Sequence, residues 1–183
     1  MVVGGVHTLW SMRKTIVTGL SKAFIKSDDD VGELPRTEQD LPMPYVFMTC
    51  GVLIVLTFFF YWWSTQSFVL ALAGALFLAF VAFFFSAVAG YIAGVVGSSN
   101  SPVSGMTIAT LLFTVGLVWV VGDLLLTMGP QDLMMATLLI AAIVATSAAI
   151  AGDVMQDLKT GHMLGATPKR QQVAEIIGVL TGA

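Results

Sequence analysis

Between Asp40 and Asp123 the chain runs for 82 residues without a single Asp, Glu, Lys or Arg. A soluble domain has about a quarter of its residues charged, spread over a surface that faces water, and no such surface can be drawn across a gap of this length. One membrane-spanning helix needs roughly 20 apolar residues, so the gap holds several spans. The composition of the 183-residue chain agrees, with 57% hydrophobic residues, 10% charged residues and a mean hydropathy of +0.90. Eight dispersed Lys and Arg under a net charge of −3 exclude a nucleic-acid footprint. Cys50, the one cysteine, lies in an apolar run and reads as a small buried hydrophobe. It offers no disulfide framework and no Cys-based metal site within one copy of the chain.

The charged residues set the organisation. Residues 1–43 form a polar segment outside the membrane that holds Arg13, Lys14, Lys22, Lys26 and Arg36 together with Asp28, Asp29, Asp30, Glu33, Glu38 and Asp40. Within it Leu9, Met12, Ile16, Leu20 and Phe24 recur at three- and four-residue spacing, the pattern of a basic amphipathic helix lying on a membrane surface. No signal-peptide pattern follows Met1. Residues 44–151 carry the transmembrane helices. Pro44 to Ser64 is one span, with Tyr45 at one end and Tyr61, Trp62 and Trp63 at the other as interfacial aromatic belts. The uncharged stretch from Ser67 to Gly97 would measure about 46 Å as one helix, more than the roughly 30 Å of hydrocarbon. It is either one long helix or a span plus a re-entrant segment. A third run from Pro102 to Thr127 is interrupted only by Asp123, and a fourth extends from Leu133 to Ala151. A loop over 152–172 precedes a fifth apolar segment, 173–183, whose 11 residues make the chain read as a piece of a longer protein.

Four crossings return the chain to its starting side, so residues 1–43 and 152–172 share a face. All eight Lys and Arg then lie on that face, which the positive-inside rule makes cytoplasmic. The fold class expected is an all-α polytopic integral membrane protein of the plasma or inner membrane, with about four complete spans, a truncated fifth and a helix interrupted at residues 97–105.

That interruption, Gly97-Ser-Ser-Asn-Ser-Pro-Val-Ser-Gly105, is the most informative segment. Gly97 can end one helix in a left-handed conformation, and Ser101 before Pro102 can cap the next. Two helix ends would then face each other, with Asn100, Ser101 and Ser104 offering neutral hydrogen-bonding groups to a polar substrate. An interfacial loop fits the same residues. Upstream, Ala87, Gly90, Gly94 and Gly97 place small residues on one helix face, as close helix packing requires. Asp123 is an acid in an apolar run, either a coupling or ion-binding group or a hydrated carboxylate at the interface.

The second motif is Gly152-Asp-Val-Met-Gln-Asp-Leu-Lys-Thr-Gly-His162. Asp153 and Asp157 share a helix face, with Lys159 and His162 close behind, so the group can relay protons or can simply be a solvated helix terminus. Gly161 and Gly165 are expected to break the helix and Thr167-Pro168 to restart one. The glycines nearby do not form a phosphate-binding loop, because the lysine is displaced and no Ser or Thr follows it. No cofactor is implied, and no metal or catalytic residue is assigned.

Both motifs, Gly90-Tyr-Ile-Ala-Gly-Val-Val-Gly-Ser-Ser-Asn-Ser-Pro-Val-Ser-Gly-Met-Thr-Ile108 and Ala151 to His162, resemble the oligopeptide transporter (OPT) superfamily. Thr167-Pro168-Lys169-Arg170 is similar to the continuation seen in its yellow-stripe-like branch and prokaryotic relatives. The resemblance runs from about Gly4 to the end of the chain. It implies secondary active transport, usually proton-coupled symport, of small peptides or metal chelates by a protein with many more spans. The substrate-contacting positions it implies are Asn100, Ser101, Pro102, Ser104 and Gly105. In the second motif Asp153, Gln156, Asp157, Lys159 and Gly161 match, and the proton-coupling candidates are Asp157, Asp153, His162 and Asp123. His162 departs from the tyrosine of plant members, which weakens the case for a metal chelate. The partners expected are the lipid bilayer, a peptide or chelate, protons and further transporter spans. Two other classes stay open: a structural or assembly subunit, and a metal-dependent membrane enzyme using Asp153 and Asp157.

Overall fold

The computed structural model describes residues 35–125 and 129–182, so the amphipathic helix expected over Leu9 to Phe24 and the acids Asp28 to Glu33 lie outside the described residues. After a 3-10 turn at Arg36–Glu38 come five α-helices: α1 (Met43–Thr65), α2 (Phe68–Val96), α3 (Val103–Val118), α4 (Pro130–Leu164) and α5 (Pro168–Gly182). A second 3-10 turn, Ser98–Asn100, separates α2 from α3, and α3 passes into a π-helix at Trp119–Leu125. The segments carrying α1 to α4 are long and apolar enough to cross a membrane, so the chain is an all-helical multi-pass membrane protein.

Each helix begins and ends where local chemistry dictates. Pro44 and Pro130 sit in the first turns of α1 and α4, where a missing N–H costs nothing. Gln66 ends α1 in the left-handed region at φ 51°, and its N–H donates back to Trp62 O. Ser67 caps α2 by accepting from the Leu70 amide. Residues 68–96 form one uninterrupted helix of 29 residues, about 43 Å long. This resolves the two sequence alternatives in favour of a helix that outruns the hydrocarbon rather than a span with a re-entrant hairpin.

The core follows helical spacing. On α4 Ala136, Ile140, Val144 and Ala148 recur every four residues and are fully buried. On α3 Met106, Ala109, Thr110, Thr114 and Val118 face inward. Against these lie Leu70, Ala71, Leu78, Phe85, Val88 and Ala89 of α2. Tyr61 departs from its expected place in an aromatic belt. It is 2% exposed, its ring fills the space over Gly74, and its hydroxyl donates to Ala136 O at 2.9 Å. Trp62 and Trp63 do point outward. Cys50, expected to be buried, is exposed on the outer face of α1, where hydrocarbon takes the place of a protein core.

Contacts fix the directions of the helices. Tyr61, near the end of α1, meets Gly74 of α2 and Ala136 of α4, while further along Gly90 and Ala93 of α2 meet Ala151 and Gly152 of α4. Helices α2 and α4 therefore run parallel and pack directly on each other, and α3 returns mainly against α4. At the other end Lys169 N donates to Gln39 O at 2.8 Å, Leu41 N donates to Gln172 Oε1 at 2.9 Å, and Gln172 Nε2 donates to Asp40 Oδ1 at 3.2 Å. The approach to α1 and the start of α5 are stitched together at one end of the bundle.

Residues 152–164, expected as loop, continue α4. Its 35 residues measure about 52 Å, and the part from Asp153 onward projects about 18 Å beyond the apolar run. Gly161 does not break the helix. Only Gly165 does, at φ 73°, with its N–H on His162 O while Ala166 N reaches Gly161 O.

Candidate substrate and coupling site

Gly97 ends α2 at φ 101°, ψ 154°, a conformation open to glycine but strained for other residues. Its ψ is extended, so the chain turns away from the helix axis instead of closing a left-handed cap. The Ser98 amide, which a continuing helix would have satisfied from within, donates across the bundle to Gln156 Oε1 at 3.0 Å. Asn100 N and Ser101 N then close the short turn onto Gly97 O and Ser98 O. The N-cap of α3 is Pro102, one residue later than expected, and its carbonyl accepts from Met106 N at 3.0 Å. Ser101, expected to cap this helix, does not. Its hydroxyl is buried and has no hydrogen-bond partner. Asn100 is exposed, with its Nδ2 at a long 3.4 Å from Val96 O, and Ser104 is exposed as well.

The two sequence motifs thus form one place. The α2 face bearing Gly90 and Gly94 packs on α4, and of the two only Gly94 is tight. A Cβ at Gly90 would lie 3.6 Å from Ala151 O, and one at Gly94 would lie 3.3 Å from Met155 Cγ. That packing brings the 97–102 break level with Gln156, one turn past Gly152. The break accordingly sits where the apolar run of α4 gives way to its polar end, rather than at mid-membrane.

Asp153 and Asp157 lie on this polar end, and α5 folds back along it. The Glu175 side chain of α5 hydrogen-bonds that of Asp157, and this contact, with partial burial and the charges of Asp157 and Asp153, pushes the Glu175 carboxyl above the ordinary carboxylate range. Gln171, one turn earlier, donates from Nε2 to Asp157 O at 3.1 Å and lays its amide over Gly161, where no Cβ intrudes. Its Oε1 is buried without a partner.

Not every candidate joins the group. His162 is five residues beyond Asp157, about 140° round the helix, and Lys159 is about 200° round; both are exposed. Asp123 belongs to the π-helical segment twenty residues beyond Val103, about 30 Å up the bundle, and its side chain lies outside the described residues. Among the described residues no cluster of three or more His, Cys, Asp or Glu is arranged to hold a metal ion.

Glu175 and Gln171 were not singled out as site residues by sequence reasoning, and Gln156 entered only as a position matching the second motif of the family. Glu175 did carry a signal, as the one acid between Val173 and Ala183, the same signal that drew attention to Asp123. Gln171 carried none, because polar residues at a helix end are ordinary.

A protein of Haemophilus influenzae named "Putative oligopeptide transporter" is 37% identical over 196 residues, covering 99% of this chain and 31% of its own length. A Saccharomyces cerevisiae protein of similar name is 61% identical over 36 residues, or 20% of this chain and 5% of the yeast protein. The chain therefore spans about a third of the length of its Haemophilus relative. No solved structure matches it. The family model for the OPT oligopeptide transporter protein matches residues 2–183, and the chain belongs to that family of transporters.

Proposed function

We propose that this chain forms part of a secondary active transporter that moves small peptides or metal chelates across the membrane and is driven by protons. The observation that carries the reading is the convergence of the two motifs, joined by the bond from Ser98 N to Gln156 Oε1. One motif supplies neutral donors and acceptors, the exposed Asn100 amide and the unpartnered Ser101 hydroxyl, with Pro102, Ser104 and Gly105 shaping the start of α3. These suit the carboxylates and amides of a peptide without burying a charge. The other motif supplies Asp157 in contact with Glu175 and close to Asp153. Their contact holds the Glu175 carboxyl above the ordinary carboxylate range, so the pair favours holding a proton, as a proton-loading carrier requires.

Asp157 is the coupling acid in this reading, ahead of Asp153, His162 and Asp123. The face shared by residues 1–43 and the α4–α5 turn is assigned to the cytoplasm, because it holds all eight basic residues. In cells making the transporter that contains this chain, Asp157→Asn is expected to abolish accumulation of a tripeptide against a gradient while exchange of tripeptide across the membrane continues. Uptake with unchanged pH dependence would show that the acids are only a solvated helix terminus.

A further inference from the structure

Gln156 stands between the two halves of the site. On the helix surface it lies about 100° from Asp157, so the turn from Asp153 to Asp157 meets α5 through Asp157 and meets the break after α2 through Gln156. At Gly97 the backbone leaves the helix, so the Ser98 amide loses the acceptor a continuing helix would have given it. The acceptor it finds is a side chain 58 residues away in sequence. The turn this bond holds is the one that leaves Asn100 exposed and the Ser101 hydroxyl unpartnered.

We propose that Gln156 is a positioning residue of the transporter. Through the Ser98 amide it fixes the 97–102 segment in the conformation that keeps Asn100 exposed and the Ser101 hydroxyl unpartnered, and it ties that segment to the helical turn carrying Asp153 and Asp157. The role rests on the reading above that this segment contacts substrate. The chemistry required is one uncharged acceptor at the reach of a glutamine side chain. Glutamate keeps an acceptor at that reach, asparagine is one methylene too short, and leucine fills the space with no acceptor.

The test is amide hydrogen exchange, in lipid nanodiscs, of the transporter that contains this chain, read at Ser101, whose N–H donates to Ser98 O at 3.0 Å and so reports on the turn. Gln156→Leu and Gln156→Asn are expected to speed exchange there by up to about tenfold, the worth of one neutral hydrogen bond, and Gln156→Glu to restore the parent rate. Ser98→Pro removes the same bond from its other end, since proline has no N–H. Combined with Gln156→Leu it should add nothing further. Parent-like exchange in both Gln156→Leu and Gln156→Asn, no recovery with Glu, or additive effects in the double variant would overturn the proposal. If Gln156→Leu fails to insert in the bilayer, the comparison of Asn with Glu decides alone. Protection of the same amide by trialanine tests the substrate reading separately. Trialanine should slow exchange in the parent and do so less in Gln156→Leu. Lack of protection in the parent, beside an intact pattern among the Gln156 variants, would refute substrate contact and leave the positioning role standing.

Discussion

Asn100 and Ser98 are neighbours in the same short turn and hold opposite positions in it. The Ser98 backbone is tied to Gln156, whereas the Asn100 side chain is exposed and only loosely held by Val96 O. Asn100→Ala should therefore raise the apparent KM for a tripeptide by up to about tenfold, the worth of a neutral hydrogen bond to substrate, with little change in the amount of protein in the membrane. Ser98→Ala keeps the backbone amide and should be milder. Equal, unchanged KM values in uptake assays would make the segment a structural turn only. Glu175 gives a pH signature at the same scale. Its carboxyl is raised in the folded hairpin, so the folded form holds that proton more tightly than an opened one. The stabilisation is complete at acid pH and is lost as pH rises through the raised value. Exchange of α5 amides, corrected for the intrinsic pH dependence, should therefore rise from acid towards neutral pH, and Glu175→Gln should flatten that rise.

At the scale of elements, the sequence made spans legible and faces illegible. A helix that is apolar all round carries no amphipathic stripe, because lipid and a packed neighbour demand the same residues. The spans of α1 to α3 could be read from the charge gap and the membrane part of α4 from its apolar run, yet the parallel pairing of α2 with α4 could not. The end of α4 was misplaced for a related reason. Loss of hydropathy at Asp153 marks the edge of the apolar run, whereas the helix continues until Gly165 takes a left-handed conformation. Small residues show the same limit. The Gly90 and Gly94 pair was readable as a close-packing motif, but a Cβ at Gly90 would meet only ordinary contacts, whereas one at Gly74 would stand 2.6 Å from the ring of buried Tyr61. That ring is held by its bond to Ala136 O and has no room to retreat. Gly74→Ala should cost about 1–3 kcal/mol, as overpacking a filled site does, and Gly90→Ala should be neutral or better. Thermal unfolding in detergent micelles would compare them, and a Gly90→Ala variant less stable than Gly74→Ala would contradict this packing.

For the whole molecule the sidedness of the chain is the claim that joins sequence to structure. Counting four crossings put the segment before α1 and the turn after α4 on one face, and the hydrogen bonds of Gln39, Asp40 and Leu41 to Lys169 and Gln172 hold those two regions together directly. An odd number of crossings between them would have put a bilayer across bonds of about 3 Å. The connection at Gln66 and Ser67 must then lie on the opposite face, since α1, at 23 residues and about 34 Å, separates it from Leu41. In a Cys50→Ala background, cysteines at Glu38 and Thr160 should both react with a membrane-impermeant thiol reagent from the cytoplasmic side. A cysteine at Gln66 should react only from the other side. Labelling of Glu38 and Thr160 from opposite sides would break the four-crossing topology and, with it, the placement of the Asp157 and Glu175 pair at a single membrane edge.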